Sequence, residues 1–107
     1  MMRSPIPKEI RDELSKDSFM KRCILNPLFC KGRIQFHHSF SYAGCRQNEI
    51  WAILPLCETH HRQEASYRDA INSALRARIA HFKADDDFRR KYPRSNLLLQ
   101  PNPVEGV

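Results

Sequence analysis

No stretch of this chain approaches the ~18 consecutive apolar residues that cross a membrane, so a membrane-spanning protein is not expected. The N-terminal "MMRSPIPKEIRDELSKD" has no apolar core, so a signal peptide is not expected either, and the cytoplasm is the expected location. No internal repeat or low-complexity segment is visible. The 107 residues are too few for two domains, so a single domain over 1–107 is expected. A chain this short buries a modest core, and a staple such as a metal ion would help it fold. Acidic charge is in deficit: 12 Asp and Glu face 18 Lys and Arg, giving a net charge of +6 and a pI near 9.5. That favours an anionic partner, nucleic acid before membrane. Cysteines are few, four in all. In a reducing compartment they serve as metal ligands more often than as disulfides.

What is present reads as short mixed elements. Ile10, Leu14 and Phe19 fall on roughly one helical face, which predicts a helix over Lys8–Ser15. "CILNPLFCKG" contains Asn26-Pro27 and Lys31-Gly32, which mark turns. "RIQFHH" alternates and predicts a strand over Arg33–His38. "SFSYAGCRQNE" is expected as a loop of eleven residues. "IWAIL" is expected as a second strand, closed by Pro55 and forming a hairpin with a wide connection. A helix is expected to start near Leu56 or Cys57. Tyr67, Ile71, Leu75, Ile79 and Phe82 recur at three and four residues, the strongest helix signal in the chain. "ADDDFRRKYP" predicts a capped short helix that stops before Pro93. The core is expected over about residues 20–83, with a loosely held tail over 94–107.

One stretch concentrates the chemistry. "FHHSFSYAGCRQNEIWAILPLCETHH", Phe36–His61, holds four of the five histidines and two of the four cysteines. Cys23 and Cys30 flank a turn-rich loop of six residues, and Cys57-x-x-His60 lies at a helix start. Four such ligands in two pairs are the pattern of a closed tetrahedral zinc site, although the first spacing exceeds the usual two to four residues. Such an ion would tie the N-terminal region to the hairpin and helix. Cys45 is left over, and a free thiol is expected there. Adjacent helical residues point about 100° apart, so His60 and His61 do not share an ion. His37 and His38 face opposite sides of their strand. One of them can hold a second ion together with His61, and the other can take a proton from water.

The order Cys…Cys, a strand ending in His-His, a loop with Asn, then "PLCETHH" resembles the HNH endonucleases. More closely, "FHHSFSYAG…NEIWAILPLCETHHR" is similar to small phage-encoded members, including those that cut DNA in partnership with RecA recombinase filaments. The resemblance covers about Cys23–Arg62. It implies an α+β fold with a small ββα-metal core, a structural zinc site and flanking helices, in a protein working in a bacterial host cell. It implies His38 as the general base. It implies His37 and His61 as ligands of a catalytic ion, Mg²⁺ or another divalent metal. It implies Cys23, Cys30, Cys57 and His60 as ligands of structural Zn²⁺. His60 departs from the pattern, since many members carry Cys there, but zinc chemistry is preserved. Ala52 stands where the middle Asn of the motif commonly lies. Asn48 is the nearest candidate for that role, which is to hold the loop of the base.

DNA is the implied partner. Arg33, Arg46 and Arg62 flank the expected site, and Arg62 directly follows His61. Arg68, Arg76 and Arg78 fall on more than one helical face, so not all can meet DNA. Trp51, in an apolar strand, is expected in the core. The competing reading is a non-catalytic, zinc-stabilised module that binds nucleic acid. A pure zinc module has no need of a second His cluster.

Overall fold

Pro7 fixes a backbone φ of −56° at the head of the first helix, α1, Lys8–Ser15. Its apolar face is narrow: Leu14 is buried, and with Ile6, Met20 and Ile53 it makes a small cluster. The computed structural model describes residues 6–25 and 30–98. The predicted Asn26-Pro27 turn lies outside them, as do 99–107 of the expected tail. After α1, the Asp17 carboxylate accepts the Phe19 N–H at 2.9 Å and caps a 3-10 turn over Ser18–Lys21.

Strand β1, Ile34–His38, pairs antiparallel with Ile53–Cys57, with Ile34 opposite Cys57 and His38 opposite Ile53. Between them lies a smaller hairpin, β2 at Ser41–Tyr42 and β3 at Cys45–Arg46. The expected loop therefore contains a sheet of its own. Its turn sets Ala43 and Gly44 at φ 54° and 80°, the left-handed pair that suits the twist of a two-residue hairpin.

The second strand of the main sheet, β4, is Ile53–Cys57, later than the expected start. Ile50–Ala52 form a 3-10 turn instead. Pro55 does not close the strand; it sits inside it, opposite Phe36. Its carbonyl accepts the Ile24 N–H at 3.0 Å on the side away from β1. In a strand, N and C=O of one residue point the same way, so the missing proline N–H costs the ladder no bond. All five β4 residues are buried. Ile53 faces the α1 cluster, while Leu54 and Leu56 join the main core.

The helical region is divided: α2 over Glu58–Arg62, a 3-10 turn over Glu64–Tyr67, then α3 over Arg68–His81. Nothing in "RQEAS" breaks a helix, so the division is tertiary. It lets His60 turn inwards, with Tyr67 edge-on to its ring at 5.2 Å. Ile71, Leu75 and Ile79 are buried along α3, as their spacing predicts. The last helix, α4, covers Asp85–Lys91. It begins at Ala84 without a side-chain cap, contrary to expectation; Asp85, Asp86 and Asp87 in its first turn complement the helix dipole instead.

Phe40 packs at ring distances of 5.2 Å from Trp51, 5.5 Å from Phe88 and 5.0 Å from Tyr92. Trp51 is thus a core residue. Leu97 is buried in the same core, so the segment just after Pro93 is packed and not loose. The result is a small compact α+β domain with two small antiparallel sheets. Among the described residues no helix is long and apolar enough to cross a membrane.

Candidate metal centre and active site

The β1–β4 register brings the start of β1, with the chain leading into it, beside the end of β4 and the start of α2. Four donors converge there. Cys23, Cys30 and Cys57 place their sulfurs 3.4, 3.5 and 3.2 Å from Nδ1 of His60. All four donor atoms lie within 4.8 Å of one another. A tetrahedral zinc, with bonds of about 2.3 Å to sulfur and about 2.0 Å to nitrogen, separates S and N by about 3.6 Å. The donor set and its spacing therefore fit that ion.

Electrostatics within the cluster push its thiols apart in pKa. Burial raises the Cys57 thiol, but N–H groups of His60 and Lys31 and the neighbouring thiols of Cys30 and Cys23 outweigh it, bringing the group down to about 7. Burial and the adjoining Cys23 and Cys57 sulfurs push Cys30 up to about 12. Three sulfurs cannot all be anionic together without a cation. Cys45 stands apart, exposed and free, as expected.

The second site lies where β1 ends. A cavity of about 430 Å³ wraps round the strand terminus, bordered by His37, His38, Arg46, Glu64, Arg68 and Asn72 among others. His37 and His38 leave the strand on opposite faces yet both border it, because the cavity encloses the strand's end. The ring of His61 is edge-on to that of His37 at 4.8 Å. His38 Nε2 lies 2.7 Å from Oδ1 of Asn48. Thus the four expected residues of this site meet as two pairs.

Ala52 is fully buried, and its carbonyl accepts the Ser39 N–H at 2.9 Å. The backbone at Ala52 ties down the loop after His38, and the Asn48 side chain holds the His38 ring.

Two residues at this site carry no motif signal. Ser39 Oγ lies 2.7 Å from Nδ1 of His37. The Glu64 carboxylate contacts Nε2 of His37, and its other oxygen faces Arg68 at 3.7 Å. Burial lowers the pKa of His37, partly offset by the Glu64 carboxylate; nearby His61 lowers it further. A neutral imidazole results, the form that ligates metals. Glu64 was findable in principle, since it follows His61 by three residues, one helical turn.

The basic residues divide. Arg46 and Arg68 border the cavity. Arg33 is exposed at the far end of β1, about 17 Å from His38 at the rise of a strand. Arg62 is exposed and does not border the cavity. Arg78 is buried, 4.0 Å above the Phe19 ring and 2.7 Å from an Asp17 oxygen, a structural residue.

Comparison of the chain with family models, with curated proteins and with solved structures returns no match.

Proposed function

We propose that this protein is a metal-dependent endonuclease of the HNH type, with the ββα-metal core that this implies, hydrolysing DNA phosphodiester bonds. One observation carries the reading: His38, held by Asn48, borders the same cavity as His37, whose ring meets that of His61. A base and a candidate ion site face one space large enough for a phosphate.

The chemistry follows from the residues. The oxygen of an amide only accepts, so His38 Nε2 carries the ring proton and Nδ1 is the basic atom. Nδ1 takes a proton from water, and the resulting hydroxide attacks phosphorus. Asn48 keeps the ring in that tautomer and angle. Arg46 and Arg68 supply positive charge at the cavity wall for the phosphate oxygens. His37 and His61 would hold a divalent ion, which would supply charge for the transition state and the leaving 3′ oxygen. Zinc held by Cys23, Cys30, Cys57 and His60 contributes folding energy and no chemistry. A phage or prophage role in DNA recombination, working beside a recombinase filament in the cytoplasm of a bacterial host, belongs to the same proposal. It rests on the resemblance of residues 23–62.

Nicking of supercoiled plasmid in Mg²⁺, Mn²⁺ or Ni²⁺ tests the reading. Cleavage by wild type, lost in His38→Ala, is expected. If wild type cuts neither single- nor double-stranded DNA with any of these ions, alone or with a recombinase filament, a zinc-stabilised DNA-binding module takes its place.

A further inference from the structure

Two ligand-type pairs share the end of β4 and the short segment after it. Cys57 and His60, three apart, turn into the sulfur cluster. His61 and Glu64, also three apart, turn towards β1 and meet His37 there. The second pair repeats the spacing of the first on another face.

Ser39 decides what His37 offers. Its hydroxyl reaches the His37 carbonyl oxygen at 3.2 Å, which commits its single proton. The same oxygen lies 2.7 Å from His37 Nδ1 and therefore accepts from it. Nδ1 carries the ring proton, and Nε2 presents a lone pair. That lone pair faces the Glu64 carboxylate. Two acceptors face to face require a cation between them. A proton would serve, but a proton has no use for a further nitrogen donor, and the His61 ring stands edge-on to His37 at 4.8 Å. Two imidazoles alone are a neutral set with little hold on a hard ion. A carboxylate adds the charge and the oxygen that Mg²⁺ and Mn²⁺ prefer. Two His and one carboxylate leave positions open for water and phosphate, as a catalytic metal needs.

We propose that Glu64 is the third protein ligand of the divalent ion assigned to His37 and His61, with Ser39 as the positioning residue that holds His37 in its ligating tautomer. The ion's purpose rests on the nuclease reading; its binding does not. The sulfur cluster is the closed ligand group among the described residues. The donors of His37, His61 and Glu64 do not converge as closely, and the ion would have to draw the partly exposed His61 and Glu64 together.

The test uses the full-length, zinc-loaded protein with Mn²⁺ alone as probe, read by electron paramagnetic resonance of free Mn²⁺ and by calorimetry. Wild type is expected to bind one Mn²⁺ beyond its zinc. Glu64→Gln should weaken that site at least about tenfold, and Ser39→Ala by about 10- to 100-fold, as loss of an outer partner does. Zinc content and melting temperature serve as controls and should not change. Glu64→Asp should retain part of the affinity. An unchanged or tighter Mn²⁺ site in Glu64→Gln overturns the proposal, because the carboxylate is then only an ion-pair partner competing for His37. Absence of any Mn²⁺ site in wild type overturns it too. If Mn²⁺ binds and depends on Glu64 but DNA is not cut, the ligand assignment stands and the nuclease reading falls.

Discussion

Nε2 of His38 lies 2.7 Å from Oδ1 of Asn48, ten residues along the chain. The bond crosses the small hairpin, so the amide can orient the base without belonging to its strand. Loss of a general base costs about 10²- to 10⁴-fold in rate. His38→Ala is expected to lose cleavage by at least about 10²-fold while keeping fold, zinc and DNA affinity. Asn48→Ala should lose less, about tenfold, because the base survives in a poorer orientation. The two act through one proton transfer, so the double variant should be no slower than His38→Ala. Additive losses would show that Asn48 acts elsewhere.

The sulfur cluster sets up a stability prediction. Cys57→Ser removes a ligand that also caps α2 by accepting the His60 N–H at 3.4 Å. The purified protein should carry about one tightly held zinc per chain, and the variant should unfold far below wild type, as structural zinc is folding energy. Acid should release the ion, since protons compete for the same sulfurs. Full thermal stability of Cys57→Ser after chelation would remove zinc from the account.

How much of this was legible in the residues depends on the kind of signal. The pairing of Cys23 and Cys30 with Cys57 and His60 was legible, because a metal site restricts residue type and spacing together. So were α1 and the buried stripe of α3, where the period is strong. The start of β4 was not: in "IWAILPLC" every position is apolar, and a fully buried strand shows no alternation. Pro55 misleads because proline reads as a stop, whereas an edge strand tolerates it. The Ala43-Gly44 turn is hard to foresee because Ala is an unusual choice at positive φ. Ser39 and Leu97 carry no motif, and their roles come from tertiary placement alone; Glu64 had only its spacing of three residues from His61.

The same holds for Asp17 and Arg78, which are 61 residues apart. Arg78 is buried between Phe19 and Phe82, with the Asp17 carboxylate 2.7 Å away. The guanidinium hydrogen bond holds the Asp17 carboxyl below its ordinary value, against the opposing effect of burial. A carboxylate with a lowered folded pKa stabilises the fold fully above its unfolded pKa, here 3.8, and loses that contribution as pH falls through the folded value. Asp17→Asn should therefore destabilise at pH 7 by about 3 kcal/mol, the low end for a broken buried pair since Asp17 is partly solvated. The gap between variant and wild type should shrink as pH falls below about 4. A gap that stays constant down to pH 2 would assign the effect to packing instead.

The excess of six positive charges predicts salt-sensitive DNA affinity. Removing one cation that neutralises a phosphate should flatten the slope of log K against log salt by about one. Arg46→Ala and Arg68→Ala, at the cavity wall, should each show that change and also slow cleavage. Arg33→Ala, at the far end of β1, should affect binding without a separate loss in the rate at saturating DNA. A flat salt response in wild type would show that the basic surface is not used on phosphates.

The last prediction separates the two histidine pairs. The hairpin folds His37 back onto the segment bearing His61, so their rings meet at 4.8 Å, while His38 turns to Asn48. On the proposed assignment, removing His61 weakens the hold on an ion but leaves the base intact. Removing His38 leaves the ion site but takes away the acceptor for the proton. Both variants should lose cleavage at limiting Mn²⁺. Only one loss is a matter of occupancy. Raising Mn²⁺ should restore His61→Ala to within about tenfold of wild type, because His37 and the phosphate oxygens still offer donors to a concentrated ion. His38→Ala should stay inactive at every concentration, since mass action on the ion supplies no base. Equal rescue of both variants would mean that His38 is a ligand. Rescue of His38→Ala alone would exchange the roles of His38 and His61.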